Sequence, residues 1–132
     1  MGSIETRHLT TQLAIEAVKY ERAPRHDGGR VNRRIVCADG FKVSVQASAW
    51  HYANDSDPSG KPPYWRSVGN PSNDPGIFYP FTAFEVGNPT TEPTDRAWQD
   101  YESGGVWAWV PPRLVAELLD EHGGAIAWEE GK

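Results

Sequence analysis

The chain has little of what disulfide-bonded, membrane or metal-dependent proteins need. A single cysteine, Cys37, excludes an internal disulfide and a multi-cysteine zinc site. No run approaches the roughly 18 apolar residues of a membrane span, and the N-terminus lacks the layout of a signal peptide. The four histidines are scattered, and neither a P-loop nor a Gly-x-Ser-x-Gly motif is present. We therefore expect a protein of the cytoplasm, with no membrane contact, no cofactor, no metal ion and no catalytic residues.

An overall excess of positive charge is also missing, because the 132-residue chain has a formal net charge of −5. Eight of its 13 Lys and Arg residues lie at positions 1–42, and 13 of its 18 Asp and Glu residues lie after them. A binder of nucleic-acid polymers normally carries a net basic face, so we do not expect that class of partner. The arginines at positions 22–34 favour either a solvated loop or a pocket for a small anion.

The chain is rich in proline, glycine and tryptophan, with 11, 13 and 6 residues. We predict one loop-rich domain, residues 1–132, of the α+β class: an antiparallel β-sheet with an N-terminal helix at 9–22 and a C-terminal helix. A two-residue hairpin turn is expected at Asp39–Gly40. Five strands are predicted, at 31–38, 41–50, 78–87, 106–110 and 125–128. Residues 88–105 are expected to be irregular or to contain a short helical turn. Residues 53–76, with five prolines, are predicted to form a long loop.

The C-terminal helix carries one residue that its position does not favour. Pro112 suits the first helical position, and Gly123 with Gly124 suits the C-cap. Arg113 then lies in the first turn, where a cation opposes the helix dipole. Either a bound anion or a surface pair with Glu117 would compensate for that cost.

Aromatic and polar side chains suggest a surface for a planar ligand. Strict alternation in the strand at 106–110 predicts that Trp107 and Trp109 project from the same face. In the strand before the long loop, Gln46 lies on an uncharged hydrogen-bonding face that suits either solvent or a polar ligand. Within the long loop, Trp65 and Arg66 could stack on a base and hold a phosphate, or simply pin the loop.

Candidate catalytic groups are few. Ser48 and His51 lie three positions apart at a strand end, a spacing that would allow a nucleophile–base pair. His51 and Glu85 offer a possible acid and base for cleavage of a phosphodiester or glycosidic bond. Neither pair matches a known catalytic motif, so we expect no enzyme.

Several segments, taken in order, resemble a family of small phage-encoded proteins, the Thoeris anti-defence sponges. They cover about 55 of the 132 residues. The matching segments are Ile35-Val36-Cys37-Ala38-Asp39-Gly40-Phe41, Val43-Ser44-Val45-Gln46-Ala47-Ser48, His51-Tyr52, Glu85-Val86-Gly87-Asn88-Pro89-Thr90 with Trp98 and Tyr101, and Trp109-Val110-Pro111 through His122-Gly123-Gly124.

The resemblance implies a non-enzymatic protein that acts in the bacterial host cytoplasm. Members of that family sequester cyclic ADP-ribose isomers, some also hold cyclic oligonucleotides, and the ligand lies between the subunits of a homo-oligomer. We accordingly expect a small-molecule cyclic nucleotide as partner, and a dimer or an assembly of dimers. The predicted ligand-binding residues are Gln46, Trp65, Arg66, Phe84, Asn88, Trp109 and Arg113.

This chain departs from the family pattern at two places. Ala53 follows His51-Tyr52 where the family often continues with Cys, a variable residue, Pro and Arg, so one arginine is missing. Asn88 stands where the family usually has Phe. Arg66 is a candidate replacement for the missing cation. Two other functions stay open: a protein-interaction module with a Trp-rich surface, and a small phosphodiesterase or glycohydrolase.

Overall fold

The computed structural model describes residues 9–26, 29, 31–48, 51, 54–55 and 80–130. In these residues the chain forms a single α+β domain with an antiparallel sheet flanked by an N-terminal and a C-terminal helix, as the sequence predicts. The helices are α1 (Thr11–Lys19), α2 (Arg96–Gln99) and α3 (Pro112–Glu121). The strands are β1 (Ile35–Cys37), β2 (Lys42–Gln46), β3 (Asn54–Asp55), β4 (Phe81–Gly87), β5 (Glu102–Ser103), β6 (Val106–Val110) and β7 (Ala125–Trp128).

Every described strand pairing is antiparallel, and six strands follow the order β5-β6-β4-β2-β1-β7. The connection between β1 and β2 confirms the predicted hairpin, but the predicted two-residue turn is wrong: the register places Cys37 opposite Phe41, so the loop has three residues, 38–40. Gly40 takes a φ of 95°, which suits glycine, and its N–H donates to the carbonyl of Cys37 at 2.9 Å. The hairpin lies in the interior of the sheet, with β4 on one side and β7 on the other.

The strand that was predicted at 41–50 ends earlier, and the edge of β4 shows why. Gln46 pairs with Glu85, and Asn54 pairs with Ala83. The chain thus advances eight positions between these two pairings while β4 advances two, and Ala47 and Ser48 already lie outside β2. Strand β3 lies inside the predicted 53–76 loop, and residues 56–79 lie outside the described part of the chain.

The helices bury their apolar stripes against one face of the sheet. Helix α1 contributes Ala14 and Val18, and α3 contributes Leu114, Val115, Leu118 and Leu119. The sheet contributes fully buried Ile35, Val43, Val45, Phe84, Val86 and Val110. Cys37 is part of this core, and burial raises the pKa of its thiol to about 11, which keeps it protonated. Among the described helices, none has the length and apolar content to cross a bilayer.

Strand β6 contains a β-bulge that overturns the prediction for its two tryptophans. Phe84 pairs with Val110, and Val86 pairs with Trp107, so three steps along β6 oppose two along β4. The extra residue reverses the alternation: Trp107 is 4% exposed, whereas Trp109 is 48% exposed. Trp109 also takes a φ of 55°, in the left-handed region that bulky residues rarely occupy. The two indoles therefore do not share one face.

Candidate functional site

An open groove of about 810 Å³ lies between α1 and α3. Its walls are one polar side of each helix, and its floor includes the turn that leads from α3 into β7. From α1 and its cap come Thr10, Thr11, Gln12, Ile15, Glu16 and Lys19; from α3 and the following turn come Pro112, Arg113, Ala116, Asp120, Gly123, Gly124 and Ala125.

One hydrogen-bonded junction fixes the relation of the two helices. Thr11 Oγ1 donates to Asp120 Oδ1 at 2.8 Å and accepts from the N–H of Ala125 at 3.1 Å. The start of α1 is thereby attached to the end of α3 and to the first residue of β7. Thr10 caps α1 by accepting the N–H of Leu13 at 3.1 Å, so both threonine side chains have structural partners.

The groove cations, Lys19 and Arg113, lie away from this junction, each about two turns along its own helix. Arg113 forms the predicted pair with Glu117, with Nη1 3.4 Å from Oε2. The side chains of this pair are 81% and 60% exposed. Such exposed pairs contribute well under 1 kcal/mol, so the guanidinium can exchange Glu117 for an incoming anion at little cost.

Among the residues that the structure describes, no side chain caps the N-terminus of α3, which reaches the same groove. Its N-cap residue is Pro111, for which no side-chain cap hydrogen bond is found, and Pro112 has no N–H. The first helical N–H is therefore that of Arg113. Uncapped N–H groups at the positive pole of a helix favour anions. The backbone and the side chain of Arg113 thus favour the same kind of ligand.

Acidic residues limit what this groove can accept. Glu16 and Asp120 also line it, so its charges are mixed rather than uniformly basic. A highly charged polymer would meet these carboxylates along its length. A compact molecule with its anionic group beside Arg113 and neutral polar groups elsewhere would avoid most of that repulsion.

Two predicted ligand-binding residues are buried in this chain. Phe84 is 0% exposed and packs within the core. Gln46 is 4% exposed: its Oε1 accepts the N–H of Asn32 at 2.7 Å, and its Nε2 donates to Asn32 O at 3.1 Å and to Ser44 Oγ at 2.7 Å. The amide of Gln46 thus uses both of its donor hydrogens and one of its two acceptor positions. The polar face predicted for β2 is an internal network at this point.

The remaining predicted residues lie in several places. Asn88 is exposed just after β4, with a φ of 47°, and its carbonyl accepts from Arg34 Nη1 at 3.3 Å. Trp109 is half exposed at the bulge of β6. Trp65 and Arg66 lie outside the described residues. Of the five described predicted residues, Arg113 alone lines the groove.

Sequence reasoning missed the contribution of α1. Gln12, Glu16 and Lys19 follow one another at spacings of four and three, and Arg113, Ala116 and Asp120 at spacings of three and four. These spacings place each set on one helical face. The polar stripes were therefore available from the sequence, but their juxtaposition depends on how the helices pack.

No protein-family model, curated protein or solved structure matches this chain. Within the described residues, no group of three or more His, Cys, Asp or Glu side chains is arranged to hold a metal ion. The groove between α1 and α3 and the half-exposed indole of Trp109 are the features of the described residues that bear on function.

Proposed function

We propose that this chain binds and sequesters, without changing it chemically, a small cyclic nucleotide of the kind used as an immune signal, such as a cyclic ADP-ribose isomer. The observation that carries the proposal is the groove between α1 and α3, where Arg113 and the uncapped N-terminus of α3 lie together. A phosphate there would receive the Arg113 N–H and its guanidinium, and Lys19 lines the same groove.

The size and polarity of the groove support a ligand of this class. Its volume of about 810 Å³ lies in the range of small-molecule sites, roughly 300–1,000 Å³. The amide of Gln12 offers hydrogen bonds to neutral ribose or base atoms, while Ile15 and Ala116 offer apolar contact. The groove is open to solvent, so a second copy of the chain that covered it would enclose the ligand.

The resemblance to the anti-defence sponges supports the choice of ligand and the oligomer. It implies a pocket between subunits, retention of the intact messenger and action in the cytoplasm of an infected bacterium. A dimer, or an assembly of dimers, would supply the missing wall of the groove.

Titration calorimetry with cyclic ADP-ribose isomers tests the site. Arg113→Ala is expected to weaken binding roughly 10- to 100-fold, the range for loss of a hydrogen bond to a charged group. Glu117→Gln is the matched control, because it removes the partner of Arg113 and one negative charge without touching the cation. It should leave the affinity unchanged or raise it. Equal affinities for Arg113→Ala and the wild type would exclude this groove as the phosphate site.

Recovery of the ligand separates sequestration from turnover. After incubation and heat denaturation, chromatography should return the cyclic nucleotide intact; a linear or hydrolysed product would instead support the phosphodiesterase or glycohydrolase.

The half-exposed indole of Trp109 favours the interaction module as a second candidate. A stable protein complex from infected cells that Trp109→Ala abolishes, with no small molecule released on heating, would support it.

A further inference from the structure

A serine and a histidine are brought together where the chain leaves the sheet after β2. Ser48 O accepts the N–H of His51 at 3.3 Å. The side chains of the same two residues are also in contact, with Ser48 Oγ 2.6 Å from His51 Nδ1. Neither residue lines the groove between the helices, so this pair is separate from the proposed nucleotide site.

The surroundings of the pair favour a neutral imidazole. Ser48 is 7% exposed and His51 is partly buried. Burial lowers the pKa of His51 below its usual range, the Glu85 carboxylate opposes that shift, and Arg25 adds to it. At neutral pH the ring is therefore mainly neutral, and in the tautomer that carries its proton on Nε2, Nδ1 can accept the hydroxyl proton. The nearby carboxylate would favour the imidazolium once that proton has moved.

We propose that Ser48 is a nucleophile activated by His51 and that it accepts acyl groups from activated carboxylic esters. A hydroxyl and a basic nitrogen within hydrogen-bond reach are the two parts that nucleophilic acyl transfer requires. In the first step Ser48 Oγ bonds to the ester carbonyl carbon, and its proton passes to His51. The bond from that carbon to the leaving oxygen then breaks, and His51 returns the proton to the leaving alcohol. Attack by water on the acyl-serine restores the hydroxyl and releases the acid.

An activated nucleophile differs from a purely structural contact in one testable respect. A structural contact needs only the hydrogen bonds between Ser48 and His51, whereas activation also needs a basic imidazole. Substitutions that keep a polar side chain at position 51 but remove its basicity therefore separate the two roles. His51→Gln retains a polar side chain and the backbone N–H but cannot act as a base near neutral pH.

The experiment uses the full chain with p-nitrophenyl acetate, following release of p-nitrophenol and locating the acetyl group by peptide mass spectrometry. We expect acetylation at Ser48, its loss in Ser48→Ala, and a decrease in rate of at least about 100-fold in His51→Gln, the usual contribution of a general base. Ser103 is exposed on β5, so Ser103→Ala is the matched control and should react at the wild-type rate. Circular dichroism establishes that each variant compared is folded.

The proposal is overturned if folded Ser48→Ala reacts at the wild-type rate, if folded His51→Gln does so, or if the acetyl group is found on other residues and not on Ser48. Should Ser48→Ala fail to fold, Ser48→Cys preserves the size of the side chain and supplies a nucleophile. The Ser48→Cys variant should then carry the acetyl group at position 48. If it does not react with p-nitrophenyl acetate, the proposal is likewise excluded.

Discussion

Arg34 and Glu129 form a two-pronged ion pair that joins the start of β1 to the end of β7. Arg34 Nε lies 2.9 Å from Glu129 Oε1, and Arg34 Nη2 lies 2.8 Å from Oε2. Lys42 Nζ adds a third contact, 3.1 Å from Oε2. Hydrogen bonds from Arg34 are the main reason why the pKa of Glu129 falls to about 2. Ile35 pairs with Trp128 directly beside this contact, so the ion pair closes the end of the β1–β7 ladder.

Glu129→Gln should lower the free energy of unfolding by about 1 kcal/mol at pH 7, the value for hydrogen bonds between charged groups reduced by solvent screening. The pKa of Glu129 is lower in the folded state than its ordinary 4.5, so its contribution is complete above pH 5. That contribution is lost as the pH falls from about 4.5 to about 2. In urea unfolding at pH 7, 5, 4 and 3, the difference in free energy of unfolding between the wild type and Glu129→Gln should therefore decrease as the pH falls.

Glu130→Gln provides the control for this measurement. Glu130 is the next residue and is exposed, so its substitution should change the free energy of unfolding by less than about 0.5 kcal/mol. A constant difference between wild type and Glu129→Gln from pH 7 to pH 3 would show that the ion pair does not contribute as described.

Local signals explain the parts of this fold that the sequence predicts well. The Asp39–Gly40 turn, Pro112 at the start of α3 and the two glycines after it each act within a few residues of where they stand. Gly123 and Gly124 take φ values of 89° and 87°, as a helix C-terminus with glycine requires. The Arg113–Glu117 pair is likewise a matter of helical spacing.

The features that were missed depend on pairing between distant segments. The bulge in β6 is defined only against β4, and it sends Trp109 outward although simple alternation places it beside Trp107. Gln46 is a polar residue in a strand, and only the approach of Asn32 turns it into a buried partner. The groove residues of α1 become a candidate site only when α3 packs beside them.

Backbone strain at Trp109 gives a test of the bulge. Trp109→Gly should be more stable than Trp109→Ala by roughly 1 kcal/mol, because both remove the indole but only alanine keeps the cost of a positive φ. Thermal unfolding followed by circular dichroism compares the two variants directly.

The same two substitutions at Val106, in the same strand, serve as the control and should show the opposite order of stability. Glycine is normally the less stable choice in a strand, so Val106→Ala should exceed Val106→Gly in stability. If Trp109→Ala is also more stable than Trp109→Gly, Trp109 does not have the left-handed conformation.

The buried amide of Gln46 should matter more for folding than a surface contact would. Gln46→Ala leaves the N–H and the carbonyl of Asn32 without their partner, and each unsatisfied buried group costs about 1–3 kcal/mol. We expect a loss of roughly 2–4 kcal/mol in urea unfolding. Ser44→Ala removes only one of the acceptors of Gln46 Nε2, so it should cost about 1 kcal/mol or less. Equal, small losses in both variants would contradict the structural role of the amide.

The turn after α3 is packed so closely against the β1–β2 hairpin that only glycine fits at position 123. A Cβ on Gly123 would lie 2.9 Å from Ala38 Cβ, in addition to the cost of its positive φ. Gly123→Ala should therefore lower the free energy of unfolding by roughly 2–3 kcal/mol, from strain and overpacking together. Gly104 also has a positive φ, but its Cβ would meet no atom within 4 Å, so Gly104→Ala should cost only the strain of roughly 1 kcal/mol. Adding Ala38→Gly to Gly123→Ala removes the clash. The double variant should therefore regain the part of the loss in free energy of unfolding by which Gly123→Ala exceeds Gly104→Ala. A double variant whose losses were simply additive in urea unfolding would show that Ala38 and Gly123 do not make this contact.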